Sequence, residues 1–353
     1  MIQVINEIDK FKNLKDDWER IWHNCKSATP FQTFDYVLAS ASTFHETDSL
    51  YIILMSDGNG VVRAILPTKI DKSGRLSFIN AHHSDFCGII IETEYDNFNL
   101  YEELSKFFLS NKQIKTICFD NLKRDSSLLS SFKPFIYTCF IQDINYYSVI
   151  PIFPKTTDKD FVDAFSFVAS KRKKKLRNQH KATLQGCEFK IYDKANGDIY
   201  PEDVVNSLTE IMVVKGYRAR TYFSMSMLNF WKELYEKELL ICAVLRQGGV
   251  ALSCNFMFYD SKSKEYIKWI MLYEDGHYNL AINVEIADYI YKNQGAYINF
   301  ARGIYDYKME NFHPIVYPLY RVIITKSIWQ HIKAVCCVTF NNVKTILKQY
   351  LKK

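Results

Sequence analysis

Residues 239–259 read LLICAVLRQGGVALSCNFMFY. Two apolar, β-rich runs flank the QGG triplet, and glycine there supplies the positive φ that tight hairpin turns require. The stretch therefore predicts a strand, a tight turn and a second strand. It is followed by a predicted strand at 265–273, a predicted helix at about 279–293 and a predicted strand at 296–301.

The same order of elements occurs earlier in the chain. Residues 50–70, LYIILMSDGNGVVRAILPTKI, predict a strand, a turn at DGNG and another strand. A predicted strand at 74–80, a helix at 100–110 and a strand at 114–120 follow. Single hairpins are common, but the same four-part order occurring twice indicates a tandem duplication. Each copy would be an α/β domain in which an antiparallel hairpin precedes a strand–helix–strand crossover.

The boundary between the two copies is expected near the segment IPIFPKTTDKD, which carries two prolines and many polar residues. We divide the chain into a first domain over 1–160 and a second over 161–353. The second begins with a basic connecting helix at about 161–185, which includes SKRKKKLRNQHK at 170–181. This charge density fits either a solvated helix or a surface that meets an anion, and the sequence leaves both open.

Composition limits the class of protein. The chain has 353 residues, of which 48% are hydrophobic and 24% charged, as expected of a packed globular protein. The net charge of +6 suits a phosphate-bearing ligand or an anionic membrane surface without requiring nucleic acid. Nine cysteines without C-x-x-C spacing favour reduced thiols and no metal. Without a signal-peptide pattern or a long apolar run, we expect a cytoplasmic protein with no stable membrane span, for which peripheral membrane contact stays open.

Several common catalytic signatures are absent. The sequence has only 12 glycines and contains no G-x-G-x-x-G, no P-loop and no G-x-S-x-G. Dinucleotide binding, NTP hydrolysis and hydrolase-type nucleophilic catalysis therefore lose support. His82 and His83 are adjacent, so on a strand they would point to opposite faces, which does not favour a metal site.

Polar residues follow the last two predicted strands of the second copy. EDGHYN at 274–279 joins a strand to a helix, and a helix N-terminus is a seat for a phosphate. Glu274 and His277 are candidates for a general base there, although each fits a structural role equally well. GIYDYKMENF at 303–312 predicts a polar loop just past a strand end, where turns and functional sites both occur.

Four blocks of sequence carry a resemblance to a known family. In chain order they resemble the CelD/BcsL-type acetyltransferases, which are associated with cellulose and other polysaccharide biosynthesis. That family belongs with the GNAT acyltransferases, whose tandem-domain relatives include the FemABX peptidyltransferases. The similarity extends from about residue 15 to 320, and the blocks are ATPFQTFDYV (28–37, after Trp18 and Trp22), HHSDFCGII (82–90), SKRKKKLRNQHKATLQGCEFKI (170–191) and GAYINFARGIYDYKMENF (295–312).

The resemblance implies an α/β (α+β) protein with two tandem GNAT-like domains, each a mixed, mostly antiparallel sheet flanked by helices. It also implies transfer of an acyl group from acetyl-CoA or another acyl-CoA to an amine, with an amino-sugar of surface polysaccharide as the expected acceptor. The partner would be a small molecule or a nucleotide-sugar. In FemABX proteins a G-x-Y-x-F-K-x-x-F segment places its lysine in the substrate groove, and Gly303, Tyr305, Tyr307, Lys308 and Phe312 fit that segment.

Two departures from the family pattern concern the donor site. GNAT domains carry a glycine-containing loop for the CoA pyrophosphate, whereas HYNLAIN at 277–283 contains no glycine. The family's aspartate on the last strand is Asn299 here.

The resemblance, together with the chemistry of acyl transfer, assigns a role to each candidate residue. Glu274 or His277 would be the base, and Tyr305 or Tyr307 the acid. Lys308 would stabilise the oxyanion or bind a substrate phosphate. The residues expected to bind the acceptor substrate are Lys215, Arg218, Arg220 and Asp306. The residues expected to bind the acyl-CoA are Tyr278, Asn279, Leu280 and Ala281.

Two alternatives stay open at this stage. The first is a FemABX-like peptidyltransferase that uses aminoacyl-tRNA, with the basic segment contacting the RNA backbone. The second is a non-catalytic binding protein whose acyl-donor site has decayed.

Overall fold

The chain forms two compact units in the computed structural model, which describes residues 1–332 and 336 except for 45, 133, 135, 137, 153–173, 176–177 and 179–182. Met1–Asn145 and Pro318–Lys353 make the first unit, and Tyr146–Tyr317 make the second. Most of the expected connecting helix, including most of the basic segment 170–181, lies outside the described residues.

The first unit contains the following described elements. Its strands are β1 (Ile2–Ile5), β2 (Ile52–Ser56), β3 (Val62–Leu66), β4 (Thr68–Ile70), β5 (Arg75–Phe78), β6 (Ile90–Ile91) and β7 (Thr116–Leu122). Its helices are α1 (Ile8–Lys12), α2 (Lys15–Asn24), α3 (Phe34–Thr43) and α4 (Phe98–Ser110). Strand β8 (Cys139–Pro151) carries the chain into the second unit.

The second unit continues with the next set of elements. Its strands are β9 (Cys187–Tyr192), β10 (Ile241–Gln247), β11 (Val250–Asp260), β12 (Glu265–Tyr273) and β13 (Tyr297–Arg302). Its helices are α5 (Glu202–Val214), α6 (Met225–Glu236), α7 (Gly276–Lys292) and α8 (Asp306–Phe312). Strand β14 (Ile315–Thr325) returns the chain to the first unit.

The repeated order of elements is confirmed. In the first unit β2 and β3 form an antiparallel hairpin, and β5 pairs in parallel with β7 across α4. In the second unit β10 and β11 form the hairpin, and β12 pairs in parallel with β13 across α7. The strands of the second unit lie in the order β8-β13-β12-β11-β10-β9, whereas those of the first form two sheets, β1-β2-β3-β6 and β4-β5-β7-β14.

The core of the second unit follows from the spacing of apolar residues on α7. Ile282, Ile286 and Ile290 recur every four residues, so they lie on one face of the helix, and all three are fully buried. They pack in one cluster with strand residues such as Ala243 and Ile298. Full burial of one such side chain stabilises the fold by about 1.5–3 kcal/mol, which fixes α7 over the sheet.

Two tryptophans of α2 anchor the first of the four sequence blocks in the first unit. The Trp18 indole donates a hydrogen bond to the Gln32 carbonyl at 2.9 Å, and the Trp22 indole donates to the Thr29 carbonyl at 3.0 Å. Thr33 then serves as the N-cap of α3, because its side chain accepts from the Tyr36 N–H at 3.4 Å.

Two predicted boundaries in the second unit are wrong. The helix after β12 starts at Gly276 rather than Asn279, because Asp275 is the N-cap and its carboxylate accepts from the His277 N–H at 3.1 Å. GIYDYKMENF is not a loop throughout, since it contains α8. That helix ends where His313 takes a left-handed conformation with φ +46°.

No helix of the described part of the chain is long and apolar enough to span a bilayer.

Candidate active site in the second unit

Strands β12 and β13 diverge at the carboxyl end of their parallel pairing. The pairing ends at Ile267 and Asn299. Immediately beyond, β12 carries a bulge at Trp269, opposite Phe256 and Met257 of β11. Strand β13 shifts register around Ala301, whose φ is +55°. Bulges re-aim strands in this way at functional sites, and the carboxyl ends of parallel strands are where α/β proteins bind ligands.

A cavity of about 320 Å³ lies beside this divergence, within the second unit. Its wall comes from β12, β13, α8, the start of α7 and the segment after α5. Aromatic rings form much of the wall, among them Trp269, Phe300, Tyr305 and Tyr307. The volume lies at the lower end of the range for small-molecule sites, and aromatic walls with a few polar groups are typical of such sites.

Four basic side chains line the cavity: Arg218, Lys268, Arg302 and Lys308. Among the described residues, no carboxylate lines it. Arg218 is exposed, whereas the two lysines are each only 2% exposed. A wall of one sign in a low-dielectric cleft attracts anionic or electron-rich groups, so this cavity is suited to a phosphate, a carboxylate or a developing oxyanion.

Lys308 lies on α8 and is held against the end of β13. Its Nζ donates hydrogen bonds to the Phe300 carbonyl at 2.6 Å and the Gly303 carbonyl at 2.9 Å. The same nitrogen lies 4.9 Å from the centre of the Tyr305 ring. Gly303 has a φ of +99°, a backbone conformation that residues other than glycine rarely adopt. The backbone therefore turns so that Lys308 meets the cavity in one fixed position.

Lys268 is a site residue that the sequence analysis missed. It projects from β12, and its Nζ donates a hydrogen bond to the Asn283 side-chain oxygen. Burial, and then the positive charge of Lys308, lower the pKa of Lys268 well below its ordinary value. A sequence signal existed, because this lysine is the one charged residue inside the otherwise apolar run YIKWIMLY.

The two tyrosines expected to act as acids line the cavity beside Lys308. Their rings are stacked, with centroids 6.2 Å apart. The Tyr307 hydroxyl lies 3.2 Å from the Met271 sulfur. Burial raises the pKa of Tyr307, so its phenol keeps its proton at neutral pH. Tyr307 is therefore suited to donate a hydrogen bond rather than to give up its proton completely.

The N-terminus of α7 is capped by the chain itself. The Asp275 carboxylate accepts from the His277 N–H and lies 2.5 Å from the His277 Nδ1. These contacts lower the pKa of Asp275, and the backbone hydrogen bond contributes most. The position where a helix N-terminus would attract a pyrophosphate therefore already holds a negative charge.

The four residues expected to bind acyl-CoA lie in the first turns of α7. Tyr278 and Leu280 pack against the hydrophobic core of the second unit, and Ala281 is buried. Asn279 lines the cavity, is 6% exposed, and its side-chain oxygen has no hydrogen-bond partner among the described residues. Because an unpaired buried acceptor is costly, Asn279 is the one of the four placed to accept from a ligand.

The remaining predicted residues lie away from the cavity wall. Glu274 forms an ion pair with Lys215, and hydrogen bonding to that carboxylate raises the pKa of Lys215. Arg220 donates to both carboxylate oxygens of Glu210 at 2.8 Å, in an exposed pair. Asp306 is exposed in the first turn of α8, where a negative charge favours the helix.

Asn299 also has a structural explanation. Its side-chain nitrogen donates to the Glu265 carboxylate at 3.0 Å, and its side-chain oxygen accepts from the Ala301 N–H at 2.7 Å. An aspartate at this position would place a second buried carboxylate against Glu265. The amide is therefore the side chain that fits, and it supports the unusual backbone of Ala301 where the strands diverge.

Comparison with known proteins gives the fold. No family model matches the chain, and no curated protein matches it. Among solved structures the chain is similar to FemX, with TM-score 0.59 and 10% identity over 88% of this chain and 96% of that one. It is also similar to L-PGS from Bacillus licheniformis, with TM-score 0.56 and 11% identity over 90% and 94% of the two chains.

A third similar structure is a tandem GNAT protein from the clavulanic acid biosynthesis pathway. Its TM-score is 0.51 at 7% identity, over 93% of this chain and 98% of that one. At such low identity the likeness concerns the fold alone. The chain has a tandem GNAT-like α/β fold. The repeated order of elements predicted the duplication, and the family resemblance implied the GNAT-like fold.

Proposed function

We propose that the chain is an acyltransferase that joins an acyl group to an amine in the cavity of the second unit. The observation that carries this proposal is the placement of the buried Lys308 at the wall of the cleft where two parallel strands diverge. Acyl transfer creates a negative charge on the carbonyl oxygen, and a fixed cation in a low-dielectric site stabilises that charge more than water does.

In the proposed reaction the amine attacks the acyl carbon and the carbonyl π electrons move to the oxygen. Lys308 stabilises the resulting oxyanion. Collapse of the tetrahedral intermediate breaks the bond to the donor, and the leaving thiol or hydroxyl takes up the proton lost by the attacking nitrogen. Tyr307 donates a hydrogen bond to the leaving atom, and Arg218 binds a phosphate at the exposed side of the cavity.

For the acceptor we propose an amino-sugar of surface polysaccharide, presented as a nucleotide-sugar. The resemblance to the CelD/BcsL-type acetyltransferases supports this choice. So does the cavity, because aromatic rings suit the apolar faces of a sugar and Arg218 and Arg302 suit its phosphates. The donor under this proposal is acetyl-CoA or another acyl-CoA.

A second candidate function is FemABX-like transfer from aminoacyl-tRNA. The Asp275 cap favours it, because that carboxylate repels a CoA pyrophosphate from the N-terminus of α7. An aminoacyl ester presents no pyrophosphate to that position, so the same cap would not oppose it.

A ligand panel tests both candidates. The purified protein is heated with acetyl-CoA, longer acyl-CoAs, aminoacyl-tRNA or UDP-amino-sugars, and matched donor–acceptor pairs are then assayed for amide product by mass spectrometry. A ligand at about 100 times its dissociation constant adds about 2.7 kcal/mol to the free energy of unfolding and raises the melting temperature. Amide formed from an acyl-CoA supports the first candidate, and amide formed only from aminoacyl-tRNA supports the second. Binding without product from any donor would overturn acyl transfer and leave a binding protein.

A further inference from the structure

Two buried lysines reach the same cavity from different elements. Lys268 comes from β12 and Lys308 from α8, and the side chain of each is almost inaccessible to solvent. The Nζ atom of Lys268 lies 5.2 Å from the centre of the Phe300 ring, and that of Lys308 lies 5.9 Å from the same centre. The positive charge of Lys308 acts on Lys268 and disfavours a second ammonium group there.

The neighbours of Lys268 are neutral apart from that second cation. Its own strand contributes the Met271 sulfur, 3.8 Å from the Nζ atom. Helix α7 contributes the Asn283 amide, β13 the Phe300 ring, and α8 the positive charge of Lys308. Within the described part of the chain, no carboxylate contacts this amine. Burial without a counter-ion, together with a second positive charge nearby, favours the neutral form of Lys268.

The hydrogen bonds around Lys268 also match a neutral amine. The Asn283 side-chain nitrogen donates to the Asn279 carbonyl at 2.6 Å, so the Asn283 side-chain oxygen faces Lys268 as an acceptor. That oxygen and the weakly accepting Met271 sulfur match the two N–H groups of an amine. An ammonium would carry a third N–H, whereas the amine carries a lone pair at the cavity wall.

We propose that Lys268 is the general base of the reaction and takes a proton from the ammonium form of the acceptor. This inference rests on the proposed function. The Lys268 lone pair binds the proton, the freed nitrogen lone pair attacks the acyl carbon, and the oxyanion forms near Lys308. The second proton on that nitrogen passes to the leaving thiol or hydroxyl, and Lys268 then returns its proton to solvent. The two lysines thus divide the work, one as a neutral base and one as a fixed positive charge.

Lys268 takes the role that sequence reasoning assigned to Glu274 or His277. Glu274 is engaged by Lys215 and His277 by Asp275, and neither residue lines the cavity. A base must lie within hydrogen-bond reach of the proton it removes, and its pKa should be near the working pH. Lys268 meets the first condition by lining the cavity, and the lowering of its pKa brings it towards the second.

The titration of Lys268 is measured without any substrate. Lysines labelled with 13C at Cε are followed by NMR between pH 5 and pH 11 in the full chain, and the Lys268 signal is assigned by its absence from Lys268→Arg. We expect its midpoint to lie below those of the exposed lysines, because burial and the charge of Lys308 disfavour the ammonium form. A midpoint equal to those of the exposed lysines would overturn the proposal.

The role as a base is measured by the pH dependence of kcat/KM with the donor that the ligand panel selects. Lys268→Met should lower kcat/KM at neutral pH by about 10²- to 10⁴-fold, the usual contribution of a general base. The loss should shrink as the pH rises through the pKa of the acceptor amine, because the free amine no longer needs a base. Lys308→Met should instead lower the rate at high pH as well, because a free acceptor amine does not replace the positive charge near the oxyanion.

Two outcomes overturn the role as a base. One is a wild-type pH profile in Lys268→Met, with a melting temperature that shows the variant to be folded. Where that variant does not fold, Lys268→Gln gives the same comparison, because its side-chain amide can still donate to Asn283 but cannot take up a proton. The other is no transfer by the wild-type protein from any donor, which overturns the proposed function and this role together. In that case the NMR titration still reports whether Lys268 is neutral, so the two failures are distinguishable.

Discussion

The two strand–helix–strand copies share an order of elements but differ in what joins the first parallel strand to the helix. In the second unit only Glu274 and Asp275 lie between β12 and α7. In the first unit residues 79–97 lie between β5 and α4. This longer connection folds back, so that Cys87 bridges in parallel to Leu122 beyond the end of β5. The hollow beside that bridge has a volume of about 10 Å³, against about 320 Å³ in the second unit.

The buried polar groups also differ between the two copies, in agreement with the difference in volume. In the first unit the Asn121 amide donates to the carbonyls of Ala81 and Ser84 at 2.8 and 2.9 Å, and the Asn80 amide donates to the Ser40 hydroxyl at 3.0 Å. Each of these buried amides therefore has hydrogen-bond acceptors within the first unit, as expected of groups with a structural role. In the second unit the corresponding place holds two lysines. At this position the first copy is a closed scaffold and the second an open site, and the two copies differ in the length of the connection that lies there.

The largest expected effect is on the second copy. Lys308→Met should lower kcat by about 10²- to 10³-fold, because the charge of Lys308 acts on an oxyanion that exists mainly in the transition state. The Michaelis constant should change less. Steady-state kinetics with the selected donor measure both constants.

Lys72→Met is the matched control, since Lys72 is an exposed lysine of a turn in the first unit. It should leave both constants and the melting temperature unchanged. A raised Michaelis constant with unchanged kcat in Lys308→Met would show instead that this lysine binds a phosphate of the ground state.

The next effect is on the first copy and is one of stability alone. Asn121→Leu removes two donors from buried carbonyls and places a branched side chain at a φ of +58°. We expect the free energy of unfolding to fall by about 3 kcal/mol, measured by urea denaturation, since each unsatisfied carbonyl costs about 1–3 kcal/mol.

Asn293→Leu is the control for this variant, because Asn293 is exposed and makes one comparable bond to the Tyr289 carbonyl. It should cost under about 1 kcal/mol. If Asn121→Leu abolished donor binding while the protein stayed folded, the first copy would not be the closed scaffold described above.

The smallest effect separates backbone strain from crowding at the edge of the cavity. A Cβ at Gly303 would lie 2.7 Å from the Tyr305 ring, whereas a Cβ at Gly60 would meet no atom within 4 Å, and both glycines have positive φ. Gly60→Ala should cost about 1 kcal/mol from conformation alone. Gly303→Ala should cost more and also weaken donor binding, because Tyr305 must move. If calorimetry showed the same loss of stability for the two variants, the Tyr305 ring would move away from the new Cβ without a measurable cost.

Local pattern was enough to predict the repeated elements. Alternating apolar runs around QGG and DGNG specify hairpins whatever the rest of the chain does. Local pattern does not specify where β14 pairs. Residues from Pro318 onward return to the first unit, where Ile323 lies opposite Cys118 of β7. A division of the sequence near residue 160 assigns β14 to the second domain. The pairing of β14 with β7 cannot be read from local sequence, because the two strands are distant along the chain.

The site was partly predictable for a similar reason. The resemblance implied that Lys308 lies in a substrate groove, and the structure places it in the wall of the cavity. Helix α8 was taken for a loop because the segment follows a strand and begins with Gly303. Lys268 was missed because a single lysine in an apolar strand does not indicate a function by itself. Its meaning depends on Asn283, Phe300 and Lys308, which come from three other elements.

Hydrogen–deuterium exchange with the donor selected by the ligand panel tests most directly whether the second copy is the functional one. If the donor binds in the cavity of the second unit, we expect slower exchange in peptides that cover 265–273 and 300–312, since these form part of the cavity wall. Peptides that cover 79–91 and 116–122, the equivalent part of the first copy, should exchange at the same rate with and without the donor. Slower exchange in the peptides of the first copy, without a change in those of the second, would contradict the placement of the functional site in the second copy.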